Sequence, residues 1–419
     1  MSRFARTTAV LCIAAAMVGA GAVPAVAAPR APANQRCVEP GPTVAEVPWP
    51  QRMLGPERVR PFTRGGGQIV AVLDSGVDAS HPQLGGRVLA GFDAVAGSGP
   101  ADDDCLGTGT QVAGVIAAGQ EQSVGFIGLA PDVSILPIRV VAERFSSSPG
   151  TEPQVLARGI NEAVERGASV IAVSTITYKD SPVLQGAVAS ALAKGVVVVA
   201  AVGDLGDERG LVPPSYPAAY DGVVGVGAIR ETGVLWPKSQ RGEDVDLVAP
   251  GDNVLTLTRA GGMGVTSGTG VACGFVAAAA VLVRSRRGNM RDTGGIGSQL
   301  ERTAVPSPGG AGYGSGVVDP YAAVTARLAP SSPQALPNLP DPVSDESPAW
   351  ARARQLALIG TGIAVAVVLI VLVVALVGPR GRRRFWRSTV TPAPIQEVEP
   401  EEPGPPVQLF PPQQSYPQQ

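Results

Sequence analysis

Apolar residues in this chain fall into short unbroken runs, separated by longer stretches in which they recur at helical spacing. The runs Gln68–Leu73 (QIVAVL), Ser169–Ser174 (SVIAVS), Val196–Val202 (VVVVAAV) and Val223–Ile229 (VVGVGAI) are rich in β-branched residues and show no alternation. Strands that are apolar at every position are covered on both faces, as in a parallel sheet flanked by helices. Between the runs, Val155, Leu156, Ile160, Ala163 and Val164 repeat with a helical period. Val183–Lys194 reads as a second helix and Val271–Leu282 as a buried one. Residues 43–326 are therefore expected to form one three-layer α/β domain with a mainly parallel sheet. No internal repeat is visible.

The ends of the chain follow other patterns. Arg3 and Arg6, an apolar stretch near Ala9–Val23 and the small residues Ala25-Val26-Ala27 read as a secretory signal peptide over residues 1–27. Residues 28–42 form a Pro-rich N-terminal extension. Residues 356–377 carry no charge and span about 33 Å as a helix, enough to cross a bilayer. Arg380, Arg382, Arg383, Arg384 and Arg387 follow at once, which places the C-terminus in the cytoplasm. The expected layout is a single-pass cell-membrane protein with its large domain extracytoplasmic. A Pro-rich linker, 327–355, acts as a semi-rigid spacer, and a cytoplasmic tail, 378–419, rich in Pro and Gln, reads as disordered.

Composition narrows the function classes. With 45% hydrophobic residues and a mean hydropathy of +0.19, the chain as a whole is not disordered. A formal charge of −2 gives no support for nucleic-acid binding. The chain contains a single histidine, His81, so any chemistry needing an imidazole must use that residue. Cys12 leaves with the signal peptide. An oxidising compartment then favours one bridge among Cys37, Cys105 and Cys273. Because Cys273 lies in the buried helical run, Cys37–Cys105 is the expected pair. These spacings suit no structural zinc site, and no cofactor or metal is expected.

Several motifs, in order, carry a family resemblance. VLDSGVDASHPQL (Val72–Leu84) resembles the segment of the subtilisin-like serine proteases that holds the triad aspartate, here Asp74. GTGTQVAG (Gly107–Gly114) is similar to their histidine segment and SGTGVACG (Ser267–Gly274) to their serine segment. YPAAY (Tyr216–Tyr220), LVAPG (Leu247–Gly251) and GYGSGVVDPYAAV (Gly312–Val324) also fall in the family's order. With the cysteine-bearing extension and the C-terminal span, the layout is similar to the mycosins, membrane-anchored subtilases of the actinobacterial type VII secretion system. The resemblance implies a subtilisin-like fold over residues 43–326, and as partners type VII secretion membrane components or secreted polypeptides.

The departures from the family pattern bear on activity. Thr108 stands at the histidine position, Gly270 at the serine position and Asp204 at the oxyanion asparagine position, leaving Asp74 as the remnant triad acid. Glycine offers no nucleophile, and a threonine hydroxyl has no pKa near neutrality with which to shuttle a proton. An ionised aspartate accepts hydrogen bonds and repels an oxyanion. In subtilisin, losing the oxyanion donor costs ~10²–10³ in rate and losing the nucleophile or histidine ~10⁶. The expectation is a pseudoprotease with a structural or peptide-binding role; the alternative is an active serine endopeptidase processing secreted proteins. His81 is expected to be structural, and Asp102, Asp103 and Asp104 to form a solvated loop rather than a cation site. Glycine at 274, where the family has proline, reads as a loosened helix start. Restoring Thr108→His, Gly270→Ser and Asp204→Asn together is expected to leave the domain folded with at most weak activity.

Overall fold

The computed structural model describes residues 37–142, 150–206, 212–287, 293–307, 310, 312–326 and 348–385. The signal-peptide pattern, the start of the extension, most of the linker and most of the tail lie outside the described residues. The chain divides into two compact units, residues 1–330 and 331–419.

In the first unit, two short helices, α1 (Trp49–Leu54) and α2 (Pro56–Val59), precede the sheet. The strands are β1 (Ile69–Asp74), β2 (Phe92–Asp93), β3 (Ser134–Arg139), β4 (Val170–Val173), β5 (Val197–Ala201), β6 (Val224–Ile229) and β7 (Leu247–Pro250). Among the described residues they form one seven-stranded sheet in the order β2-β3-β1-β4-β5-β6-β7, with every neighbouring pair parallel. An antiparallel hairpin, β8 (Val254–Leu257) with β9 (Met263–Thr266), stands apart. The helices are α3 (Thr108–Ala117), α4 (Pro153–Glu165), α5 (Pro182–Ala193), α6 (Thr269–Arg287), α7 (Thr293–Thr303) and α8 (Pro320–Thr325).

The unbroken apolar strands are explained by the layers on either side. Val70 and Val72 of β1 face a core shared with Val112 and Ile116 of α3 and with the apolar face of α6. The alternate residues, Ala71 and Leu73, face a second core with Leu156 and Ile160 of α4 and Leu184 and Val188 of α5. One strand thus feeds two cores, so neither face can be polar. Because β2 and β3 lie on one side of β1 and β4–β7 on the other, the strand order reverses there. A crevice therefore opens at the carboxyl ends of β1 and β4, the place where open α/β sheets carry their sites.

Close packing of helices shapes that crevice. Small buried residues, Ala277–Ala280, line the middle of α6 where it crosses the sheet. A Cβ on Gly274 would lie 2.7 Å from Cγ2 of Val115. Gly274 is therefore a close-contact position between α6 and α3, which corrects the reading of residue 274 as a loosened helix start.

The extension is strapped to the domain. A disulfide joins Cys37 to Cys105 with Cα atoms 4.4 Å apart, and Val38 N donates to Cys105 O at 2.9 Å. Gly41 N then donates to Thr258 Oγ1 at 2.9 Å, and Met263 N to Pro42 O at 2.9 Å. In the second unit, α9 (Pro348–Phe385) contains an apolar stretch, Arg352–Leu376, of mean hydropathy 3.0 and wholly unburied. It is long and apolar enough to cross a membrane. The α6 helix is apolar as well, but it is core.

Candidate active site

Asp74 ends β1 and is 4% exposed. Its carboxylate accepts from three donors of this chain. Ser75 N donates to Oδ1 at 2.7 Å, Thr108 Oγ1 donates to Oδ1 at 2.5 Å, and Ser174 Oγ donates to Oδ2. Burial raises the Asp74 carboxyl above its ordinary value. The three hydrogen bonds oppose that rise, and the nearby Asp104 carboxylate adds to it.

Thr108 is the first residue of α3 and is exposed, while its hydroxyl turns inward to Asp74 and lies 2.8 Å from Ser75 Oγ. Behind it sits Asp104, fully buried. Its Oδ1 accepts from Ser75 Oγ at 2.7 Å and Gly107 N at 2.8 Å, and its Oδ2 from Thr110 N at 2.8 Å and Thr110 Oγ1 at 2.7 Å. Four donors satisfy a buried carboxylate without a counter-ion. The expected solvated loop is therefore corrected at Asp104, which organises the turn into α3. Its neighbour Asp103 is exposed and pairs with Arg139. Among the described residues no group of three or more His, Cys, Asp or Glu side chains could hold a metal ion.

Across the crevice α6 begins at Thr269. A Cβ built on Gly270 would lie 2.6 Å from the carbonyl oxygen of Ser174 and 3.4 Å from its Cβ. Ser174 therefore stands between Asp74 and residue 270. Asp204 follows β5; its Oδ1 accepts from Thr269 N at 2.9 Å and Thr269 Oγ1 at 2.7 Å. A carboxylate there caps the helix and meets the positive end of its dipole. Asp204 is exposed by surface area. Protein packed around the carboxylate nonetheless raises its pKa, with both Thr269 hydrogen bonds pulling the other way. One turn into α6, Cys273 is fully buried against Val173 O and Val199 O, and burial pushes its thiol up, away from nucleophilic use.

His81 is committed elsewhere. Its Nδ1 accepts from Gln83 N at 3.2 Å, so Nε2 is the ring donor, to Gly262 O at 3.1 Å. Both ring nitrogens hold loop structure, and His81 is 2% exposed.

The sequence pattern of the Subtilase family matches residues 65–319. This chain belongs to the subtilase family. The subtilase is 36% identical over 247 residues to the major intracellular serine protease of Bacillus subtilis, a match covering 58% of this chain and 76% of that one. It is 31% identical over 411 residues to mycosin-1 of Mycobacterium tuberculosis, covering 83% and 91% of the two chains. Among solved structures, the MycP3 protease from the type VII (ESX-3) secretion system superposes with a TM-score of 0.62 at 30% identity, covering 69% of this chain and 92% of that one. MycP1 from Mycobacterium smegmatis superposes with a TM-score of 0.61 at 27% identity, covering 72% and 94%. The match to mycosin-1 extends well beyond the subtilase segment.

Asp74, Thr108 and Ser174 meet directly in this subtilase, and Gly270 faces Ser174; Asp204, after β5, caps the start of α6. Sequence reasoning did not single out Ser174 or Ser75, and it did not foresee the buried turn held by Asp104 or the helix cap on Thr269. Ser174 was within reach, since a serine closing the strand beside the Asp74 strand must arrive at the same sheet edge. Chemically, the two hydroxyls nearest Asp74 both donate to it, and neither has an imidazole to take its proton onward. The arrangement holds a carboxylate still, with two hydroxyls and an amide around it where the family's relay has an imidazole.

Proposed function

We propose that this subtilase-family protein is a mycosin-like component of type VII secretion whose centre no longer cleaves polypeptides. In this reading it is a pseudoprotease with a structural or peptide-binding role beside a secretion machinery, partnered by membrane components or secreted polypeptides. Asp74, Thr108, Gly270 and Asp204 are the remnant of the triad acid, histidine, serine and oxyanion positions. The observation that carries the reading is the state of Asp74: its donors are Thr108, Ser174 and a backbone amide, where an active relay needs an imidazole.

The proposed layout is a signal peptide over 1–27, an extension over 28–42, the domain over 43–326, a linker over 327–355, a span over 356–377 and a tail over 378–419. The arginines after the span support an extracytoplasmic domain and a cytoplasmic C-terminus. The likeness to mycosin-1, to MycP1 and to MycP3, a protease from the type VII (ESX-3) secretion system, supports the assignment to that system. Incubating the full chain in detergent with an unstructured protein substrate and analysing it by mass spectrometry tests the reading. No fragments are expected beyond those in a blank, and fragments that scale with enzyme concentration would overturn it.

A further inference from the structure

A polypeptide approaching Asp74 along the sheet edge would run beside residues 174–177, the continuation of β4, and between them and the start of the segment after β5. An extended peptide binds such a place through free backbone groups and gaps for its side chains. At residues 176–177 both are already used by the chain. Thr177 N donates to Tyr216 O at 3.0 Å and Tyr216 N to Thr177 O at 2.8 Å, while Thr151 N donates to Ile176 O at 2.7 Å and Gly150 bridges to Thr177. Residues 176–177 are thus bonded on one side to residues 150–151 and on the other to Tyr216.

The space toward β5 is filled as well. Gly203 has φ +97°, and a Cβ there would lie 2.9 Å from Cδ1 of Ile176 and 2.3 Å from Oε1 of Gln240. Ile176 packs against the main core. Gln240 is buried and pinned by four hydrogen bonds: its N donates to Gly203 O at 3.0 Å, its Nε2 donates to Pro213 O at 3.2 Å, its Oε1 accepts from Tyr178 Oη at 2.7 Å and its O accepts from Ser239 Oγ at 3.3 Å. Ile176 therefore occupies the slot between the two segments, with Gln240 as its floor.

We infer that the groove beside the centre is shut by the chain's own residues, with Ile176 as plug and the Thr151–Ile176 hydrogen bond as clasp, so that no extended polypeptide binds there. The inference rests on the non-cleaving reading and decides within it for a structural role. Residues 150–151 and 176–177 supply the pairing a bound peptide would otherwise supply, and the Ile176 side chain fills the gap a peptide side chain would enter.

Fluorescence anisotropy of a labelled Ala-Ala-Pro-Phe peptide, titrated with the full chain in detergent, tests the closure. The wild type should give a flat response to about 1 mM. A Thr151→Pro/Ile176→Ala double variant, with the clasp removed and the slot emptied, should bind saturably, at least about tenfold tighter than that limit. Hydrogen exchange on the wild type should show protected amides at Thr151, Thr177 and Tyr216, unchanged by peptide. Saturable wild-type binding of intact peptide would overturn the closure and leave the non-cleaving reading standing, whereas cleavage would overturn both. A flat response from a double variant with native-like exchange would also overturn the closure. Should that variant not fold, the wild-type titration and exchange decide alone.

Discussion

Gly270 is held by its surroundings. The Ser174 carbonyl occupies the space a β-carbon would need, and a backbone oxygen at the end of a central strand does not swing aside as a side-chain tip would. Gly270→Ser alone should therefore destabilise the domain by about 1–3 kcal/mol, the usual range for overpacking, in chemical denaturation of the full chain. Wild-type stability would show that the crevice yields. The same collision makes the triple restoration harder than the sequence suggests, because the new hydroxyl arrives with its backbone displaced. A second residue reports through pH. Asp246, half-buried beside Gly225 N, has its carboxyl pushed up to about 6, chiefly by burial, with Glu301 and Asp244 adding to the rise. A carboxyl raised in the folded state binds its proton more tightly there than when unfolded. Stability is therefore gained as pH falls through about 6 toward the unfolded value and lost on returning to neutrality. Between pH 7 and pH 5 the gain from this group should be about 1 kcal/mol after screening, and Asp246→Asn should flatten that part of the stability profile. An unchanged profile in the variant would rule Asp246 out as its source. Asp74 was legible because a strand ending in Asp-Ser-Gly at the sheet edge is a local pattern. Asp104 was not, since the donors that make its burial tolerable come from a turn whose shape no linear run of acids reveals.

At the scale of elements, the start of α3 is built from three separate pieces. Asp104 binds the first turn from below, Ser75 and Asp74 from the end of β1, and the Cys37–Cys105 bridge brings the extension alongside. Residues 37–42 then reach the tip of the β8–β9 hairpin, covalently tied at Cys37 and hydrogen-bonded through Val38, Gly41 and Pro42. Closing that long loop constrains the unfolded chain, and replacing both cysteines by serine should cost about 2–4 kcal/mol in thermal or denaturant unfolding. Intact mass should also rise by about 2 Da on reduction of the native protein, and a chain of unchanged mass would show that the bridge does not form. The strands and long helices were readable from their periods, because burial on both faces leaves a continuous apolar signature. The contact of α3 with α6 was not, because Gly274 acts through an absence of atoms and its meaning appears only when Val115 stands opposite.

For the whole molecule, a subtilase domain is carried on a chain that also holds, among the described residues, one long apolar, unburied helix. An enzyme tethered near a membrane needs an open cleft and a mobile proton. This chain offers a capped helix, a carboxylate whose donors are its own hydroxyls and amide, and a histidine committed to a loop. Under the proposed function, its likeness to the mycosins is one of scaffold, and the scaffold has outlasted the chemistry. The most direct test is intact-mass analysis of the full-length protein after treatment with a fluorophosphonate, beside an active subtilase as positive control. A fluorophosphonate adds to a hydroxyl only where the active-site machinery raises its nucleophilicity. The account predicts full modification of the control and an unmodified mass here; a stoichiometric single adduct, on Ser174 or any other residue, would contradict it.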